Sequence, residues 1–262
     1  MATLKKTQSD TPTPGDSYVQ SFARGLQVIR SFSEKTPRQT LSDVAAATGL
    51  TRAGARRILL TLQTLGYVAF DGKLFMLTPR ILDLGFAYLS SMPIWNRAEP
   101  VMEALVQQVQ ESCSAAVLDD TDIVYVLRVP THKIMRISLG VGSRLPAWCT
   151  SMGRLLLSEL DEPALRGRLA ASDIEALTRH TITDIDALVA KVQQARRQRW
   201  CVVNQELEEG LISIAAPIVD RSGRMVAALN ISGQANRTSA KVMQETMLPS
   251  LLAAADEISR LL

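Results

Sequence analysis

The sequence has no run of the roughly eighteen apolar residues that a membrane-crossing helix needs. Its first seventeen residues also lack the apolar segment of a signal peptide. It has only three cysteines, Cys113, Cys149 and Cys201, an odd and unpatterned set. That excludes a disulfide framework and points to a reducing compartment, so the expected location is the cytoplasm. Histidine is scarcer still. His132 and His180 stand far from any Cys or carboxylate at metal-ligand spacing, so no metal site and no cofactor is expected. Neither type of phosphate-binding glycine loop is present.

What is present is enough for a folded core. Apolar residues make up 47% of the 262 and charged residues 21%, and this length suits two compact domains. The net charge of +3 hides a gradient. Residues 18–92 carry nine Lys and Arg against four Asp and Glu, whereas the chain beyond is slightly acidic. A basic first third fits a nucleic-acid module, although charge alone also fits scattered surface residues. Residues 1–17, rich in Thr, Pro, Ser and Asp, read as a disordered tail.

A helical pattern runs from about Ser21 to Phe32, with Phe22, Leu26, Ile29 and Phe32 on its apolar side. Next, Thr40 can cap a helix, with Asp43 completing an approximate capping box. Leu41, Val44 and Ala45 form its buried side. Gly49 supplies the left-handed turn, Leu50 plugs it, and Thr51 caps a second helix to about Leu65. The core side of that helix is Ala55, Ile58, Leu62 and Leu65. Two short helices joined by a tight glycine turn make a helix-turn-helix.

At 100° per residue, Arg52, Arg56 and Gln63 fall within about 40° of one another on its outer side, with Arg57 further round. Arginines there can reach guanine edges and phosphates. By themselves they fit a solvated basic face equally well. The next feature decides: short β runs at Tyr67–Phe70 and Leu74–Leu77 flank Asp71-Gly72-Lys73, a hairpin signal. A hairpin straight after a recognition helix is a wing, with Lys73 at its tip. The DNA-facing candidates are Arg24, Thr40, Thr51, Arg52, Arg56, Arg57 and Lys73. The partner is double-stranded operator DNA.

Pro79 opens a helix through Leu89 that is apolar on two sides, with Ile81, Leu84 and Tyr88 on one and Leu82, Phe86 and Leu89 on the other. A surface helix of a lone domain should not look like this. It reads as a linker that also packs against a second subunit. After it come a long helix from about Ile94 to Ser112, and strands at Ala115–Leu118, Ile123–Val129 and Ile134–Leu139. Helices are expected over Thr150–Leu160, Asp161–Ala170 and Asp184–Gln198. Strands at Cys201–Gln205, Leu211–Val219 and Met225–Ser232 precede a final helix from about Ser239 to Leu261. The fold class is α+β: an N-terminal winged helix-turn-helix, a linker helix and a domain with a mainly antiparallel sheet. The expected boundaries are 1–17, 18–78, 79–92 and 93–262.

Two stretches look like a ligand cup. In Gly140 to Arg154, Arg144 and Arg154 could pair with a carboxylate, Trp148 offers a flat wall, and Thr150, Ser151 and Met152 enter a helix start. From Asn204 onward, Ser213 sits on an apolar strand, while Asn230 and Ser232 share one face of the last strand. Polar residues on such a face serve a ligand, a water or an exposed sheet face. A catalytic reading would rest on Cys149, which would need a base, and His132 is at best a remote one. The protein reads as a non-enzyme.

Together these stretches resemble the IclR family of bacterial regulators, from Ser21 onward. The marks are SFARGLQVIRSF, the turn Gly49-Leu50-Thr51, LPAWCTSMGRLLL, Glu206 four residues before Gly210 leading into LISIAAPI, and ALNISG. The resemblance implies a winged helix, a linker helix, a GAF-like effector domain for small organic acids, and dimers that often pair into tetramers. Carried over by position, its effector cup falls on Leu145, Ser151, Met152, Val203, Leu211, Ser213, Asn230 and Ser232. Ser151-Met152 replaces a small Gly-Ala pair, Val203 or Asn204 a frequent aspartate, and Asn230 a frequent serine. Such changes reshape the cup away from a two- or three-carbon oxo acid. GSRLPAWCTSMGR and NQELEEGLISIA resemble more closely the branch regulating protocatechuate, p-hydroxybenzoate and β-ketoadipate catabolism. The alternatives are a regulator of the same family that responds to another small organic acid, and an effector domain that only oligomerises.

Overall fold

The computed structural model describes residues 15, 18–91, 94–131 and 139–262. The N-terminal tail and most of the strand expected at Ile134–Leu139 lie outside the described residues. The chain divides into two compact units, one ending at Ala87 and the other starting at Tyr88.

In the first unit, α1 (Gln20–Arg30), α2 (Leu41–Thr48) and α3 (Arg52–Thr64) surround a core of Val28, Phe32, Val44, Ala45, Ala55, Leu59, Leu62, Val68 and Phe75. β2 (Val68–Phe70) and β3 (Phe75–Leu77) form the expected hairpin. A two-residue strand, β1 (Arg38–Gln39), adds to β3, too short to leave a periodic signal. Two core assignments change. On α1, Phe22 and Leu26 are exposed and Val28 is buried, because Leu26 lies about 200° round the helix from Val28. On α3, Leu59 takes the core position, one turn after Ala55. Leu65 is the exposed C-cap and Ile58 is only partly buried.

A 3-10 turn (Pro79–Ile81) leads into α4 (Leu82–Ser90). None of the α4 residues is buried, and Leu82, Leu84, Phe86 and Tyr88 stand exposed on it.

The second unit is built on six described strands in the order β6-β5-β4-β9-β8-β7, every neighbouring pair antiparallel. They are β4 (Ser112–Asp119), β5 (Asp122–Val129), β6 (Arg144–Pro146), β7 (Cys201–Asn204), β8 (Leu211–Val219) and β9 (Met225–Gln234). One apolar cluster unites inward residues of the sheet with α5 (Ile94–Val109) and α10 (Leu248–Arg260). A second unites the other face with α6 (Ser151–Leu157), α7 (Glu162–Ala170) and α8 (Ile185–Gln198). The C-terminal helix is not continuous: α9 (Ala240–Val242) passes through a π turn (Met243–Met247) into α10. Pro249 explains the break, since it lacks an N–H and crowds the carbonyl four residues back.

The pairing of β4 with β5 is irregular at one place. Ala115 faces Leu127 on β5, but Ala116 faces Tyr125, so one residue of β5 is extra. Val126 and Leu127 both pack with the α5–α10 cluster. Tyr125 and Arg128 therefore share the opposite face.

Candidate nucleic-acid interface and ligand cup

The helix-turn-helix is fixed by local chemistry. The Thr40 hydroxyl accepts from the Asp43 N–H (3.2 Å), and the Asp43 carboxylate accepts from the Thr40 N–H (2.9 Å), a complete capping box. These bonds hold the Asp43 carboxyl below its usual pKa. Gly49 has φ +65°, a conformation that strains any side chain, and the Leu50 N–H returns to the Ala45 carbonyl at 3.1 Å. Thr51 caps α3 by accepting from Gly54 N–H at 3.1 Å.

Arg52, Arg56, Arg57 and Gln63 are all exposed on α3. Among the described residues none of the three arginines forms an ion pair. At the wing, the Asp71 carboxylate accepts from the N–H groups of Leu74 (2.7 Å) and Lys73 (3.0 Å), which lowers its pKa. Lys73 is left exposed at the tip. Arg24 is exposed on α1, and Thr40 and Thr51 act through their caps. The arrangement is an uncompensated cationic helix beside a cationic hairpin tip, suited to a phosphate-lined groove.

In the second unit the cup lies between α6 and strands β7, β8 and β9. Its lining includes Leu145, Thr150, Ser151, Met152, Val203, Leu211, Ser213, Asn230 and Ser232, all expected, and also Tyr125, Cys149, Glu206 and Leu207. The polar groups are linked to one another. Ser151 and Ser213 hydroxyls meet at 2.9 Å, and Asn230 donates to Ser232 at 3.0 Å while accepting from the Ser114 N–H at 3.1 Å. The free volume is about 20 Å³, room for little more than one water. A larger open groove, about 530 Å³, runs between α5 and α10, but only Gln108, Ser250 and Glu257 bring polar side chains to it.

Three expected side chains do not reach the cup. Arg144 lies on the exposed edge strand β6, paired with Asp119 (2.6 Å) and Asp122 (3.0 Å). Trp148 is 1% exposed within the α6–α8 core, where so large an apolar ring gains most from leaving water. Arg154 is also buried, gripping Glu206 through two bonds of 2.7 and 2.5 Å and donating to the Trp148 carbonyl at 2.8 Å. Glu206 in turn accepts from the Ile182 N–H at 3.2 Å. Each charge is matched and forked, as a buried pair has to be. No sequence signal joins Arg154 to a carboxylate 52 residues on; Glu206 stands out in the sequence only through its spacing to Gly210.

Burial pushes the Cys149 thiol up to about 12 and Cys201 to about 11, so both are neutral thiols at physiological pH and poor nucleophiles. Tyr125 is likewise raised to about 12 by burial. Among the described residues no cluster could hold a metal ion, and no helix is long and apolar enough to cross a membrane.

A winged helix-turn-helix joined in one chain to a domain with a polar-lined cup defines a one-component transcriptional regulator. Residues 21–72 match the IclR helix-turn-helix domain and residues 86–260 the bacterial transcriptional regulator IclR C-terminal region, so the chain belongs to the IclR family of regulators, not to an enzyme family. It is 43% identical over 255 residues to the Pca regulon regulatory protein of Pseudomonas putida, covering 97% of this chain and 87% of that one. It superposes on a transcriptional regulator from Rhodococcus sp. RHA1 with a TM-score of 0.81, 51% identity, and coverage of 93% and 98%. It also resembles the double mutant of the PobR inducer binding domain of Acinetobacter in complex with 3-hydroxybenzoic acid. There the TM-score is 0.60 and the identity 31%, with coverage of 64% of this chain and 98% of that one.

Proposed function

We propose that this regulator controls an aromatic-acid catabolic operon in the cytoplasm and responds to a small carboxylate of the hydroxybenzoate, protocatechuate or β-ketoadipate type. The observation that carries this reading is the gathering of Ser151, Ser213, Asn230 and Ser232 around one buried apolar cup. Hydroxyls and an amide between apolar walls match a ligand that is flat and apolar in the middle and polar at its ends. The Pseudomonas relative named for the pca regulon and the Acinetobacter domain carrying 3-hydroxybenzoic acid support the same class. Residues 18–78 would bind DNA, 79–92 connect, and 93–262 sense the ligand.

The protein would act as a dimer or tetramer. The exposed apolar residues of α4 (Leu82, Leu84, Phe86 and Tyr88) are a surface that a second copy would cover. Two recognition helices, each with Arg52 and Arg56, would then read two half-sites.

The closed cup has to open to admit an aromatic acid, and the opened form is the state that ligand favours. Ligand can change DNA affinity only by preferring one arrangement over another, here one whose paired helices match the operator spacing. The cup's small volume also fits a second reading, in which the domain only oligomerises. Fluorescence anisotropy of labelled operator DNA with added 4-hydroxybenzoate, protocatechuate or β-ketoadipate separates them. A ligand-dependent change in operator affinity supports the sensor, and identical curves with all three favour the oligomerisation domain.

A further inference from the structure

Among the described residues the lining of the cup holds no free cation, an odd property for a site that is to hold an organic anion. Arg144 and Arg154 are each tied to carboxylates of this chain. A third arginine, Arg128, is differently placed. It is half-buried on β5, and among the described residues it has no carboxylate partner. Its one polar contact is a long one, 3.4 Å from Nη1 to the Ser114 hydroxyl.

The β5 irregularity decides which way Arg128 faces. In a regular strand, residues three apart point to opposite faces. The extra residue at Val126–Leu127 places both of those side chains on the α5–α10 side, which brings Tyr125 and Arg128 to the cup side together. Cross-strand pairing then continues the row: Arg128 faces Ser114 on β4, and Ser114 faces Asn230 on β9. Hydrogen bonds follow the same path, from Arg128 to Ser114, Ser114 N–H to Asn230, and Asn230 to Ser232. Beyond it, Ser232 pairs with Ser213, which touches Ser151.

We propose that Arg128 is the carboxylate-binding residue of the cup, a role that rests on the effector reading above. The bulge delivers an otherwise unmatched guanidinium to one end of a polar row whose other end is the Ser151–Ser213 pair. A guanidinium held by one long contact can turn its fork to a carboxylate without leaving an internal anion stranded, which neither Arg144 nor Arg154 could do. Strands β5 and β8 are three spacings apart, about 14 Å, and the Arg128 side chain already reaches across the first of them. The remainder suits one aromatic ring, with its carboxylate towards Arg128 and its hydroxyl towards Ser151 and Ser213. The ligand class is a ring acid with a polar group opposite the carboxylate, in preference to a neutral phenol.

The test is calorimetric titration of the full chain with 4-hydroxybenzoate and with its neutral counterpart, 4-hydroxybenzamide. The wild type should favour the acid, and Arg128→Gln should weaken acid binding about 10- to 100-fold while leaving the amide unchanged. Arg128→Lys should restore part of the preference, since it keeps the charge but loses the fork. Equal acid affinity in wild type and Arg128→Gln overturns the proposal with the effector reading intact. No binding of the acid or of protocatechuate by the wild type overturns both. If Arg128→Gln does not fold, the wild-type acid-to-amide ratio decides, and a ratio near one overturns the proposal.

Discussion

The outer face of α3 and the inner face of the cup treat charge in opposite ways. On α3, Arg52, Arg56 and Arg57 are exposed, and among the described residues no carboxylate pairs with them. At the cup, the lining carboxylate of Glu206 is neutralised out of water by Arg154 behind it, and the hydroxyls and amide are bonded together. A long polyanion supplies its own charge complement, so its binding face can wait uncompensated in solvent. The fully buried groups of a small-molecule site cannot stay unmatched, so they close on one another until a ligand replaces the internal bonds. Only the half-buried Arg128 at the end of the row is held by a single long contact.

The comparison breaks most visibly at the arginines. Replacing Arg52 and Arg56 together with Ala should cost about 2–6 kcal/mol of operator binding, from about 30-fold to more than a thousandfold, read by anisotropy. The melting temperature and ligand response should stay as they were, because among the described residues neither side chain has a hydrogen-bond or ion-pair partner. Loss of ligand binding as well would mean that the face is not a free surface.

Next in size is the buried pair. Glu206→Ala should destabilise the second unit by about 3–5 kcal/mol, since Arg154 keeps its charge with no carboxylate, while the paired change Arg154→Met with Glu206→Leu should recover much of the loss. Denaturant unfolding followed by tryptophan fluorescence reports this unit, because all three tryptophans, Trp95, Trp148 and Trp200, lie in it. Equal losses in the single and double variants would contradict the account of the pair.

Smaller effects sharpen the picture of the first unit. Gly49→Ala meets no atom within 4 Å but has φ +65°, so it should cost about 1 kcal/mol purely through backbone strain. The Asp43 and Asp71 carboxyls are held below their usual 3.8 by bonds from Thr40, Leu74 and Lys73. The unfolded chain takes up these protons first as pH falls. Their contribution is therefore complete above about pH 4 and fades as pH drops through the lowered folded values. Acid unfolding of Asp43→Asn should show a shallower loss in that range than the wild type.

Much of the first unit is legible in the sequence because its signals are local. Thr40, Asp43, Gly49 and Thr51 each act on backbone groups within a few residues, and Asp71-Gly72 closes its own hairpin. The buried face of α1 is not legible in the sequence, since several apolar residues ring that helix and only packing decides between Phe22 and Val28. In the second unit the strand alternation of Asn230 and Ser232 is readable, and the cup gathers them as expected. What was not readable depends on distant partners. Asp119 and Asp122 hold Arg144, Glu206 holds Arg154, and the core takes Trp148. Arg128 comes to the cup side through a bulge that leaves no trace in the hydrophobic pattern.

Thermal unfolding of the full chain with 4-hydroxybenzoate, protocatechuate and β-ketoadipate tests the central claim most directly. A ligand that fits the cup should stabilise the folded protein by about 2.7 kcal/mol at a hundred times its dissociation constant, raising the midpoint in proportion to the logarithm of its concentration. An unchanged midpoint with all three would contradict the claim that this cup senses such acids.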